Sequence, residues 1–274
     1  AAMNKKLIIG VSAAAVAAVV IGAAAALMTS STPEKIDLST THTTEAPSES
    51  AKEPETTSAP ETTAPETTAS STASVTSSLE TYTSGNISIQ YPQVSGLSDS
   101  KLQDSINENL KNNALSVITG YEADEAKDSM TVTCEVVSVD RRSMTAVYTG
   151  AYTADGAAHP VNLFYSNTVD LKDNTNLGLG DFTDSYTMAG YVLSSDVTFF
   201  GLDEEQTKAV LEYRQGVTMQ ELTDTFNQAD FPIQQGVVWP PSFSYEKQGD
   251  IFFSLPVPHA LGDYVIVRFV PSTK

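Results

Sequence analysis

Apolar and polar positions sort the 274-residue chain into three regimes. From Leu7 to Leu27 it reads LIIGVSAAAVAAVVIGAAAAL, without a charge. As a helix rising about 1.5 Å per residue, this run is roughly 32 Å long and matches a hydrocarbon core of about 30 Å. From Ser30 to about Ser78 large apolar residues are sparse, and the near-repeat EPETT-SAPETT-APETT fills residues 53–68. Such a stretch buries too little surface to offset its ordering entropy, which predicts an extended, disordered linker. Beyond it, periods of two and of 3.6 residues alternate, as in a folded domain.

Within that third regime Ile87–Pro92 alternates like a strand. Ser98 is expected to open a helix with Leu102, Ile106, Leu110, Leu115 and Ile118 on its apolar side, ended by Gly120. Strands are predicted at Met130–Val139, Met144–Thr153 and Val161–Leu171. The turn ADGAAHP joins the last two, with Asp155-Gly156 suited to a tight hairpin. Asp203 begins a helix carrying Val210, Leu211 and Tyr213, and Thr218 caps another, with Glu221 completing a capping box. The end returns to β: Phe243–Tyr245 and Ile251–Leu255 flank EKQGD, and Tyr264–Val270 follows. That order predicts an α+β fold, a mainly antiparallel sheet with helices packed on one face, after an N-terminal membrane helix and disordered linker.

The expected organisation is a short start at residues 1–6, with Ala1 and Ala2 ahead of a natural-looking Met3. A transmembrane anchor or signal peptide follows at 7–27, a Thr/Pro/Glu-rich linker at 28–78 and an extracytoplasmic domain at 79–274, divisible into lobes at about 79–175 and 176–274. Lys5 and Lys6 put the N-terminal side in the cytoplasm by the positive-inside rule. The run is longer than the apolar core of most signal peptides, about 7–15 residues, which favours an anchor. Its alanine content and the small residues Ala23–Ala26 favour cleavage. The expected location is therefore the cell membrane with the C-terminal domain outside, or the exterior after cleavage.

Charge narrows the partner class. The first 78 residues hold four lysines and eight acids, which leaves 11 basic and 26 acidic residues beyond them, a net of −15. So acidic a domain argues against nucleic acid and anionic lipid and favours a cationic partner, or solubility alone. Cys134 is the single cysteine, so no internal disulfide forms, and its place in TVTCEV marks it as a small core residue.

Catalytic patterns are sparse. No G-x-S-x-G, H-x-x-x-H or H-E-x-x-H motif occurs, so neither a catalytic residue nor a metal or cofactor is expected. Asp203-Glu204-Glu205 reads as the acidic first turn of a helix, and Asp124, Glu125 and Asp128 as a solvated edge. Trp239, between Val238 and Pro240-Pro241, is either an exposed contact anchor or a plug at the core edge.

The stretch GAYTADGAAHPVNLFYSNTVDLKDNTNLGLGDFTD resembles the junction of the paired extracytoplasmic domains of RsiV-type lysozyme-sensing anti-sigma factors. Domains of this kind also stand N-terminal in PdaC-type peptidoglycan deacetylases. The matching residues are Ala158-His159 after a strand, Asn167 to Leu171, Leu177–Leu179 and Asp181-Phe182. GDIFFSLPVPHALGDYVIVRF resembles the closing hairpin of that family, with Pro258, His259 and Gly262 where its loop carries Pro, Tyr and Gly. The likeness spans about Ile87 to Val270, without the anti-sigma or deacetylase part, and the usual Pro-Tyr-Glu stretch is replaced by Phe253-Ser254-Leu255. It implies a non-catalytic surface-binding or sensing module of a Gram-positive envelope, taking a cationic protein such as lysozyme, or peptidoglycan. Candidate partner-binding residues are His159, Trp239, Pro256, Pro258, His259 and Gly262. A wall-associated structural module and an envelope hydrolase are the other readings.

Overall fold

The computed structural model describes residues 74–272. The apolar run at 7–27, with the anchor expected there, and the linker up to residue 73 lie outside the described residues. Among the described residues no helix is long and apolar enough to cross a membrane.

Six strands form the first sheet, in the order β1-β2-β3-β4-β5-β6. They are β1 (Thr76–Ser84), β2 (Asn86–Ser95), β3 (Ser129–Val139), β4 (Ser143–Thr153), β5 (Val161–Asp170) and β6 (Asn176–Leu177). β3, β4 and β5 fall within one residue of their expected bounds. β1 is new and begins at Thr76, ahead of the expected domain start at residue 79. It joins β2 through a turn at Gly85, whose φ of 55° and backbone neighbour leave no room for a side chain: a Cβ there would sit 2.1 Å from the Glu125 carbonyl oxygen. Helix α1 (Ser100–Gly120) carries the chain from β2 to β3, which pair in parallel; the other neighbouring strands are antiparallel.

Asp99, not Ser98, caps α1, because its carboxylate accepts from the Lys101 and Leu102 amides. Ile106, Leu110, Ala114 and Val117 are the fully buried stripe, spaced by one helical turn, while Leu102, Leu115 and Ile118 are only half-buried at its flanks. Stacked Tyr148 and Tyr165 lie beneath, 4.4 Å between centroids, and the Tyr165 hydroxyl donates to the Ala114 carbonyl at 2.8 Å. Cys134 sits in the same core, where burial pushes its thiol up to about 12. In the native protein a thiol reagent should therefore not label Cys134 at pH 8, whereas denaturant should release one equivalent. Prompt labelling of folded protein would contradict this packing.

Four more strands make a second sheet, in the order β7-β10-β9-β8: β7 (Thr198–Phe200), β8 (Ser244–Lys247), β9 (Asp250–Pro256) and β10 (Tyr264–Phe269). The β8–β9 turn is shorter than expected, with Lys247 paired to Asp250 and only Gln248 and Gly249 between them, both at positive φ. Helices α2 (Leu179–Phe182), α3 (Ser185–Leu193), α4 (Glu204–Tyr213) and α5 (Met219–Asn227) accompany this sheet. Asp203 and Thr218 close capping boxes with Gln206 and Glu221. Met188, Val192, Leu222 and Phe226 bury against Phe253 and Val267, with Phe226 edge-on to Phe253 at 5.1 Å.

The fold class is thus α+β with antiparallel-rich sheet and helices, as the periodicity implies. The single sheet, however, is two. Each carries helices on one face, and part of each opposite face meets the other around Val147, Tyr245 and Phe252, with Phe164 and Ile266 beside them. The period-2 pattern of β9 reads apolar on both faces (Ile251 through Leu255 are all buried) because a strand between helices and a second sheet has no wet side.

Candidate functional site

Two loops distant in sequence converge at one end of the seam between the sheets. The first, residues 154–160, joins β4 to β5. Asp155 and Gly156 do form a turn, closed by the Ala157 amide on the Ala154 carbonyl at 2.9 Å, but within a seven-residue loop rather than a two-residue hairpin. Asp128 holds its base. The Asp128 carboxylate accepts from the Asp124 amide (2.8 Å), the Asp155 amide (2.8 Å) and the Tyr152 hydroxyl (2.9 Å), and these donors hold its carboxyl below the usual range. It is only 6% exposed, so the expected solvated edge survives at Asp124 and not at Asp128, which the loop's orphan donors draw inward.

The second loop runs from Val257 to Asp263 between β9 and β10. The Val257 amide donates to the Asp263 carbonyl, and a single 3-10 turn, His259–Leu261, ends at Gly262 with φ of 100°. Asp263 links the two loops. One of its oxygens accepts from the Asn162 amide at 2.8 Å, just after the first loop, and the other meets His259 Nδ1 at 2.8 Å. His159 and His259, 100 positions apart in sequence, consequently face each other with ring centroids 6.2 Å apart.

Trp239 is half-buried among Tyr121, Tyr165, Phe231 and Phe243, with centroid distances of 5.1 to 6.1 Å. A Cβ on Gly120 would stand 2.3 Å from its indole, so the helix must end on glycine there. Trp239 plugs the core edge, and its rim also reaches a hollow of about 230 Å³ shared with Phe164, Pro256, Asp263 and Tyr264. A second hollow, about 450 Å³, lies between α4 and His259–Gly262, with Glu205 on its wall. A third, about 430 Å³, separates Pro256 from α5. The closing loop is therefore a ridge between concavities. Pro258 and His259 are exposed along it, His159 is exposed on the neighbouring loop, and Pro256 and Gly262 are half-buried at its ends.

Two features were not foreseen. A polar cleft of about 440 Å³ opens between the sheets, lined by Asp140, Arg142, Asp170, Glu246 and Lys247, with the buried hydroxyls of Thr145 and Thr168 paired at 3.0 Å. Asp230 is 3% exposed at positive φ (65°), with no cation in its hydrogen bonds. Its carboxyl accepts from the Ser244 amide (2.6 Å), the Ser244 hydroxyl (2.6 Å) and the Leu179 amide (2.8 Å), tying α2 to β8. Burial pushes its pKa up to about 7 although these three donors pull the other way. Nothing in the period of DFPI announces such a residue, because its partners are 14 and 51 positions away.

Among the described residues no group of three or more His, Cys, Asp or Glu side chains is placed to hold a metal ion. No family model and no curated protein matches the chain. Solved structures similar to it include two of the DUF3298 family. A DUF3298 family member from Bacteroides fragilis is 16% identical, covering 72% of this chain and 89% of its own, with a TM-score of 0.39. A DUF3298 family protein from Pseudomonas aeruginosa is 12% identical, covering 73% and 90%, with a TM-score of 0.34. Likeness at that level says nothing of activity.

Proposed function

We propose that residues 79–274 form a non-catalytic binding or sensing module on the outer cell surface, held by the helix at 7–27 or released by its cleavage. The favoured ligand is a cationic protein, lysozyme included. The observation that supports this reading is the ridge itself. His159, Pro258 and His259 stand exposed on two loops that Asp263 and Asn162 lock together, between hollows that can receive a partner's side chains. A preorganised ridge loses little entropy on binding, which is how small contact surfaces reach useful affinity. The RsiV-type resemblance supports the same ligand class, and the domain's net −15 steers a cation toward it.

Capture of lysozyme by the full chain tests this. Retention at low salt that fades as salt rises is expected, since screening length falls from about 30 Å at 0.01 M to about 3 Å at 1 M. Exchanging Pro258 and His259 for glycine and alanine should weaken capture at every salt concentration. No retention at low salt removes lysozyme as the partner. A second reading, binding to peptidoglycan, is favoured by the cleft at Arg142 and Lys247, whose mixed charges and hydroxyls suit a polar saccharide-peptide better than a protein surface. Sedimentation with purified wall, lost in Arg142→Ala and kept in Pro258→Gly, would promote it.

A further inference from the structure

We infer that His159 and His259 form a binding site for one divalent transition-metal ion of the zinc or copper type, with Asp263 as the carboxylate that orients it. Three observations converge. The imidazoles come from separate loops yet lie 6.2 Å apart, centroid to centroid, and tilted by 31°. Two imidazoles sharing an ion at Zn–N of about 2.0–2.1 Å have centroids roughly 5–6 Å apart, a little closer than the 6.2 Å that separates these two exposed rings. Next, the Asp263 carboxylate is an acceptor, so the 2.8 Å contact makes His259 Nδ1 the protonated nitrogen and leaves Nε2 with its lone pair free. Carboxylate-to-histidine-to-metal relays have this form, and they fix the tautomer and raise the basicity of the ligating nitrogen.

The third observation is rigidity. Asp263 is itself held by the Asn162 amide at 2.8 Å, and the Asn162 side chain reaches the Gly262 carbonyl at 3.4 Å. The two histidine-bearing loops thus keep their spacing without metal. Two protein nitrogens leave the remaining coordination positions to water, so the site is open rather than closed and structural. Imidazole ligands select zinc and copper over magnesium and calcium, which prefer oxygen. No local histidine spacing signals such a site, because its ligands are 100 residues apart.

The test is titration of the full chain with Zn²⁺ alone, read by calorimetry and by the imidazole proton resonances. One equivalent is expected at pH 7.5, broadening or shifting the signals of His159 and His259 together. Binding should disappear in His159→Ala and in His259→Ala, and weaken about 10–100-fold in Asp263→Asn. An excess of Ca²⁺ or Mg²⁺ should leave it unchanged. Circular dichroism of each variant checks that the fold persists. Either single-histidine variant binding Zn²⁺ as tightly as the parent, or displacement by Ca²⁺, would overturn the site and assign the ion to surface carboxylates.

Discussion

At about pH 5, where its carboxyl is still protonated, Asp230→Ala should be the most damaging single substitution outside the apolar core, lowering stability by about 3–5 kcal/mol. The change leaves the Leu179 and Ser244 amides buried without an acceptor, each costing about 1–3 kcal/mol. It also puts alanine at φ of 65°, a region that aspartate tolerates better. Because Gly178 packs directly under Asp230 and α2 starts there, the damage should spread along the seam between the sheets. Denaturant unfolding of parent and variant measures the difference. Equal midpoints would show that the carboxyl does not hold the seam.

The same residue should impose an unusual pH dependence. An aspartate that titrates near 3.9 when unfolded and at about 7 when folded stays protonated longer in the native state. Its contribution to stability is fully present below about pH 4 and is lost as pH rises to about 7, with a ceiling on the order of 4 kcal/mol. The carboxylates of Asp128, Asp140 and Asp184 act in the opposite sense, since their hydrogen bonds lower their pKa values and protect the fold only above the acid range. Thermal midpoints should therefore fall between pH 5 and pH 7.5 in the parent and stay flatter in Asp230→Asn. A parent midpoint that climbs over that interval would refute the assignment.

Trp239→Ala should cost about 3 kcal/mol, at the lower end for a large aromatic because the indole is only half-buried. Four aromatic neighbours lose their common contact, and the cavity opens beneath the hollow that Pro256 and Tyr264 share. Gly120→Ala should reproduce much of the loss from the other side, since its methyl needs the space the indole holds. If Trp239 acts only as an exposed anchor, its alanine variant will weaken partner capture and leave the unfolding midpoint where it was. The packing predicts that both fall.

Strand β3 was legible because it alternates cleanly, β4 and β5 because they are β-prone runs bounded by turn residues, and α4 and α5 because their caps stand three residues from a Gln or Glu that answers them. Other elements resist such reading. TSSLETYTS in β1 is polar on both faces, and only pairing with β2 makes it a strand. Helix α3, SYTMAGYVL, is too uniformly apolar to show a 3.6 period, and its length falls below what periodicity resolves. Of the candidate residues, His159, Pro258, His259 and Gly262 could be placed on loops from composition, whereas Pro256 ends strand β9. That the two loops touch could not.

Local order in this molecule was thus written in the chain, because periodicity, caps and turn residues act over a few positions. An α+β domain whose lone thiol packs in the core follows from that order and from composition. Only the three-dimensional arrangement divided the strands between two sheets, drew Asp128 and Asp230 inside, and set His159 opposite His259. Each of those outcomes depends on contacts between residues tens of positions apart, where burial and hydrogen bonding outweigh local preference. No window a few residues wide can weigh such contacts.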